Sequence, residues 1–127
     1  NIGASCLGRM SGCEVVDVPI TTLDATLGHL DRLDLIHLDA EGMEPHILEG
    51  ATGLIQRFQP CMMIEVIDSW LKRYESSAMA LMQQIAQLGY FTQLRIQPNA
   101  AQFDVLAMPM RKMANLSESV KAALVTA

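Results

Sequence analysis

Residues 34–44 read Asp34-Leu35-Ile36-His37-Leu38-Asp39-Ala40-Glu41-Gly42-Met43-Glu44, a short apolar run that ends in a carboxylate and is followed by two more carboxylates and a glycine. The apolar run is typical of a buried parallel strand, and Pro45 suits the first turn of a following helix. Ligands of open α/β sheets bind beyond the carboxyl ends of such strands. We therefore expect Asp39, Glu41 and Glu44 to lie at a functional site.

Further strands are predicted on both sides of this stretch. They cover residues 14–20, 61–67, 90–96 and 103–107, with a turn at Pro98-Asn99 between the last two. Because helical patterns separate most of these strands, the order favours an α/β fold with a mainly parallel sheet. The last two strands are predicted to be antiparallel, since a short loop joins them.

Helices are predicted between the strands. They cover residues 23–30, 45–58 and 78–88, the last capped by Ser76 or Ser77 and ended by Gly89, with a short tail helix at 117–124. Thr21 and Asp24 form an approximate capping box for the first helix. The second helix has one apolar face at helical spacing, although Gly50 lies inside it.

Composition restricts the class of protein. The 127 residues suit one domain, half of them are apolar, and the net charge is −5, which argues against nucleic-acid and anionic-membrane partners. No apolar run approaches the roughly 20 residues that a membrane span needs. The three cysteines form no CxxC pair, and this odd count without a secretory signal predicts a reducing, cytoplasmic location.

Several motifs, taken together and in order, resemble the FkbM family of S-adenosylmethionine-dependent methyltransferases. They are Thr22-Leu23-Asp24, the 34–44 stretch, Leu48-Glu49-Gly50-Ala51, and Pro60 with Ile64-Glu65-Val66, while Asn1-Ile2-Gly3-Ala4-Ser5 is similar to an NxGxS segment of some members. The resemblance implies a Rossmann-like class I methyltransferase fold. It also implies S-adenosylmethionine as cofactor and a small-molecule hydroxyl group as methyl acceptor.

The resemblance covers residues 1 to about 109 but corresponds to the second half of the family's domain. In this fold the cofactor rests on a Gly-rich turn after the first strand, and no GxGxG follows any predicted strand here. We therefore expect residues 1–127 to be one domain, equivalent to the C-terminal half, with the cofactor-binding N-terminal half absent. The chain also has His37 where the family usually has Lys, and an unperturbed His is mostly neutral at pH 7.

The resemblance and the strand pattern together assign roles to residues around the end of the 34–39 strand. Catalytic roles are predicted for Asp39, Glu41 and His37, cofactor contacts for Asp39 and Gly42, and substrate contacts for Glu44 and Glu65. Asp39 is the first choice for orienting the cofactor methyl group or the acceptor hydroxyl. Structural explanations compete, since Glu44 suits the positive end of a helix dipole and His37 suits a packed core histidine.

Two other functions remain open from the sequence. The first is a non-catalytic assembly module, in which residues 34–39 form an apolar sheet edge that pairs with a second copy. The second is a Mg²⁺- or Mn²⁺-dependent hydrolase, since Asp39, Glu41, Glu44 and Glu65 offer the oxygen ligands that hard cations prefer.

Overall fold

The computed structural model describes residues 12, 14–96 and 102–119, and a four-stranded sheet forms its centre. The strands are β1 (Leu35–Leu38), β2 (Cys61–Ile67), β3 (Tyr90–Ile96) and β4 (Gln102–Pro109), in the order β1-β2-β4-β3. β1 and β2 are parallel, whereas β4 is antiparallel to both β2 and β3. The α/β class and the antiparallel relation of the last two strands are confirmed.

The prediction of a mainly parallel sheet is wrong for the strand pairs, since one of the three neighbouring pairs is parallel. β3 points in the same direction as β1 and β2, but β4 inserts between β2 and β3. Residues 97–101, the whole connection between β3 and β4, are too few for a helical crossover. A connection this short returns the chain beside β3 in the opposite direction.

The helices are short and connect the strands. They are α1 (Leu23–Leu27), α2 (Glu44–Glu49), α3 (Thr52–Phe58), α4 (Asp68–Leu71), α5 (Ala78–Gln87) and α6 (Met110–Met113), with a 3-10 turn at Lys72–Tyr74. As predicted, Ser77 caps α5 by accepting the Ala80 N–H, and Gly89 follows with φ +84°. Within the described ranges, no helix has the length and apolar character needed to cross a membrane.

The core lies between one face of the sheet and the helices. Along β2, Met62, Ile64 and Val66 are fully buried and alternate with side chains that keep some exposure. They pack with residues of α2, α3, α4, α5 and β4, namely Leu48, Ala51, Ile55, Leu71, Leu81, Ile85, Val105 and Ala107. The expectation that β1 is buried on both sides is wrong, because Leu35 is 56% exposed on the other face. In the described part of the chain the helices cover one face.

The predicted helix at 45–58 is two helices, α2 and α3, and Asp24 explains the break. In a continuous helix the Leu54 N–H would bond the Gly50 carbonyl. Instead the Asp24 N–H donates to the Gly50 carbonyl at 2.9 Å, and Asp24 Oδ1 accepts the Leu54 N–H at 2.9 Å. A Cβ on Gly50 would meet Thr22 Cβ at 3.2 Å, so the glycine allows α1 to approach this closely.

Further sequence predictions are wrong in part or concern residues outside the described ranges. Residues 14–20 form no strand and are exposed along their whole length, because they do not pair with any of the four strands. The first helix ends at Leu27, and its cap is Thr22, not Thr21. The 1–5 segment, the Pro98-Asn99 turn and the end of the predicted tail helix lie outside the described residues.

Candidate functional site

The acidic residues predicted at the strand ends come together at one edge of the sheet. The register pairs Leu38 of β1 with Ile64 of β2, so that Asp39 follows β1 beside Glu65. The Asp39 carboxyl group is close enough to Glu65 to raise the pKa of the Glu65 carboxyl group. Asp39 is exposed and Glu65 is partly buried. Two adjacent parallel strands therefore bring a carboxyl pair to the edge where α/β sheets bind ligands.

The Glu65 carboxyl group holds its proton more strongly than an ordinary glutamate. Burial raises the pKa of Glu65 most, and the hydrogen bond and negative charge of Asp39 raise it further. Gln102 lowers this pKa, because its side-chain Nε2 donates to Glu65 Oε1, and Glu41 raises it slightly. Glu65 therefore keeps its proton to a higher pH than an ordinary glutamate does.

Glu44 closes the loop that carries these acids. Its side chain is 3% exposed, and Oε1 accepts the Ala40 N–H at 2.9 Å and the Gly42 N–H at 3.3 Å. The intervening Glu41 has φ +54°, so the loop makes a tight left-handed turn before α2 begins. Glu44 thus fixes the backbone that presents Asp39 and Glu41, and its predicted substrate contact stays a prediction.

Gly42 lies against the segment that follows β2. It has φ +99°, and a Cβ there would be 2.5 Å from the Trp70 carbonyl oxygen and 3.0 Å from Tyr74 Cδ2. A larger residue would push the loop of residues 39–43, called the acidic loop below, away from α4 and the 3-10 turn. This packing explains the glycine structurally, and its predicted cofactor contact stays a prediction.

His37 lies on the same sheet face as Asp39, about 6–7 Å earlier along β1. It is exposed and pairs in register with Met63, which is 41% exposed. The interpretation of His37 as a packed core residue is therefore wrong. Its catalytic role is a prediction that the strand position allows.

Two polar residues close to Glu65 were not predicted as site residues from the sequence. Gln102 binds Glu65, and Asp104 pairs with Glu65 in the antiparallel register of β2 and β4. Alternation along β4 could have placed both on one face, but only the register shows which residue of β2 they meet.

The geometry does not favour the hydrolase hypothesis. Over residues 14–96 and 102–119, no group of three or more His, Cys, Asp or Glu side chains is placed to hold a metal ion. Glu44 points to the amides of its own loop, which removes one of the expected ligands from the set.

Comparison with known proteins gives one match. The family model described as the methyltransferase FkbM domain matches residues 10–92, which is more than half of the chain. This range contains β1, β2, the acidic loop and the Thr22–Asp24 contact with Gly50. Searches of curated proteins and of solved structures found no match.

Proposed function

This chain belongs to the FkbM methyltransferase family, and we propose that it acts in S-adenosylmethionine-dependent transfer of a methyl group to a hydroxyl oxygen of a small molecule. The observation that supports this most strongly is the pair of acids Asp39 and Glu65, which the register of two parallel strands places side by side near their carboxyl ends. Methyl transfer to a hydroxyl needs a group that orients the O–H and accepts its proton. A carboxyl pair with one shared proton can do both.

The side chains at this edge suit a positively charged cofactor. S-adenosylmethionine carries a sulfonium and an ammonium group, and when bound it supplies an activated methyl group. Asp39 is exposed and Glu41 is partly exposed, so both can face such cations. We propose that Asp39 and the backbone around Gly42 contact the cofactor, with Glu44 holding the loop in shape.

The acceptor side is assigned to the open face next to the pair. In this proposal Asp39 accepts the proton of the acceptor hydroxyl, while Glu65 keeps its own proton and orients Asp39. General-base assistance of this kind contributes about 10²–10⁴-fold to a rate. His37 lies on the same face and can contact the acceptor further from the reacting oxygen.

The chain supplies part of the site that a methyltransferase needs. No GxGxG turn occurs in the 127 residues. We propose that residues 1–127 correspond to the C-terminal half of a Rossmann-like methyltransferase domain, and that they contribute the acceptor side and the carboxylate contacts to the cofactor.

Calorimetric titration of this chain with S-adenosylhomocysteine tests the proposal. We expect binding that weakens about 10- to 100-fold in Asp39→Asn, since a charge-assisted contact contributes about 1.5–3 kcal/mol. Asp31→Asn is the matched control, because Asp31 is exposed and precedes β1. Equal affinity of both variants would contradict the role of Asp39. No binding by the folded chain would contradict a cofactor site formed by these residues.

A homodimer is a second proposal, because β1 is an edge strand among the strands of the described residues. The backbone of an edge strand offers unpaired N–H and C=O groups, and Leu35, the first residue of β1, is 56% exposed. We expect sedimentation to show a dimer that Leu35→Lys converts to monomer. Met79→Lys is the control, since Met79 is 73% exposed and lies on α5 and not on a strand of the sheet. A monomeric wild-type chain would contradict this assembly.

The cellular location and the binding partners of this chain are proposals that rest on its composition. Cys61 is a free thiol, the form that a reducing compartment maintains. We propose a cytoplasmic protein whose partners are small molecules, since a net charge of −5 does not suit nucleic acid or an anionic membrane.

A further inference from the structure

We propose that Gln102 is a positioning residue that holds the Glu65 carboxyl group in the orientation in which it faces Asp39. This inference rests on the proposed function, because it concerns the same carboxyl pair. Gln102 is the first residue of β4 and lies outside the residues 10–92 that the family model matches. The family match therefore gives Gln102 no role.

The strand register brings Gln102 to Glu65. β2 and β4 are antiparallel, Glu65 pairs with Asp104, and Ile67 pairs with Gln102. Gln102 is thus the diagonal neighbour of Glu65 on the same face, within reach of a long side chain. Its Nε2 donates to Glu65 Oε1. Oε1 of Glu65 accepts the Gln102 N–H. The other oxygen of Glu65 is therefore the one that carries the carboxyl proton when Glu65 is protonated.

The surroundings of Glu65 show why a neutral donor matters there. Asp39 approaches from the end of β1, Glu41 from the following loop, and Asp104 is the partner in β4. Asp39 and Glu41 are acidic, so they favour the protonated form of Glu65. Gln102 acts in the opposite direction by stabilising the ionised form. We infer that Gln102 holds Oε1 of Glu65 and leaves the other oxygen of that carboxyl group to face Asp39.

NMR titration of the ¹³C-labelled Glu65 carboxyl group in the full chain tests this role. Gln102→Leu removes the donor, and the pKa of Glu65 is expected to shift further upward. Gln102→Lys adds a positive charge at the same place, and the pKa is expected to shift downward. Gln87→Leu, on the exposed end of α5, is the matched control and should leave the titration unchanged.

Opposite shifts in the two Gln102 variants, with an unchanged control, would support the proposal. A wild-type titration curve in both Gln102 variants would overturn it, and so would shifts of the same sign in both, which a general structural change would cause. The test is independent of catalysis. If wild type fails to bind S-adenosylhomocysteine while the shifts occur, the proposed function fails and the positioning contact stands.

Discussion

The Asp24 carboxylate lies 2.8 Å from the backbone N of Gly53, a residue 29 positions away in sequence, and accepts its N–H. The other carboxylate oxygen accepts the N–H of Leu54 at 2.9 Å. One side chain from α1 therefore caps α3 and fixes the start of the helix that packs on the sheet. Two of the family motifs, Thr22–Asp24 and Leu48–Ala51, also meet here, because the Asp24 N–H donates to the Gly50 carbonyl.

Asp24→Ala is expected to destabilise the fold by about 1–2 kcal/mol, the usual effect of losing a helix N-cap. Urea unfolding measures the change. Asp17→Ala is the control, since Asp17 is exposed in a segment without strand pairing, and it should stay within about 0.5 kcal/mol of wild type. Equal stability of the two variants would show that the cap does not matter to α3.

Gly42 and Gly89 form a matched pair for a second prediction, because both have positive φ angles, +99° and +84°. A Cβ on Gly89 would meet nothing within 4 Å, whereas one on Gly42 would lie 2.5 Å from the Trp70 carbonyl oxygen. Gly89→Ala is expected to lose about 1–2 kcal/mol and Gly42→Ala about 2–5 kcal/mol, since crowding adds to the backbone strain. Thermal unfolding compares them, and similar losses would contradict the close packing of the acidic loop on α4.

Glu44 provides a third prediction, because its buried carboxylate binds two backbone amides of the loop. Glu44→Ala leaves both N–H groups without this acceptor and is expected to cost about 2–4 kcal/mol. Glu49→Ala, at the exposed end of the same helix, is the control. If the loop positions Asp39 as proposed, affinity for S-adenosylhomocysteine falls in Glu44→Ala and not in Glu49→Ala. A folded Glu44→Ala chain with unchanged affinity would separate the loop from the cofactor site.

The sequence predicted the two parallel strands and the acids near their ends, and the reason is local. An apolar run of four to six residues followed by carboxylates can form a strand with acids at its end whatever packs around it. Two such runs, ending near Asp39 and Glu65, with a helical pattern between them, predict a parallel pair, and the structure contains it. The caps at Ser77 and Gly89 were predictable for the same reason, since they depend on their own backbone.

The predictions that failed depend on distant residues. The break between α2 and α3 comes from Asp24, so the apolar periodicity around Gly50 could not reveal it. Residues 14–20 have strand-like composition, but a strand also needs a neighbour. The contact of Gln102 with Glu65 requires the antiparallel register of β2 and β4, which local patterns do not encode.

The raised pKa of Glu65 makes stability depend on pH in a defined direction. Burial and Asp39 raise this pKa in the folded chain above its ordinary value of 4.5, so the folded state binds the proton more strongly than the unfolded state. The contribution of protonated Glu65 is therefore complete below pH 4.5 and declines as the pH rises through the raised pKa. Above the raised pKa, Glu65 is ionised close to Asp39, and this partly buried negative charge destabilises the folded state.

Glu65→Gln should remove this dependence, because glutamine stays neutral at every pH. The variant is expected to match wild type in acid and to exceed its melting temperature at pH 7–8, where wild-type Glu65 is more ionised. Glu49→Gln is the matched control, since Glu49 is exposed on α2 and should give the wild-type pH profile. Melting curves from pH 4 to pH 8 measure the difference. If Glu65→Gln is less stable than wild type at neutral pH, ionised Glu65 stabilises the fold. That result would contradict the proposal that Glu65 keeps its proton beside Asp39.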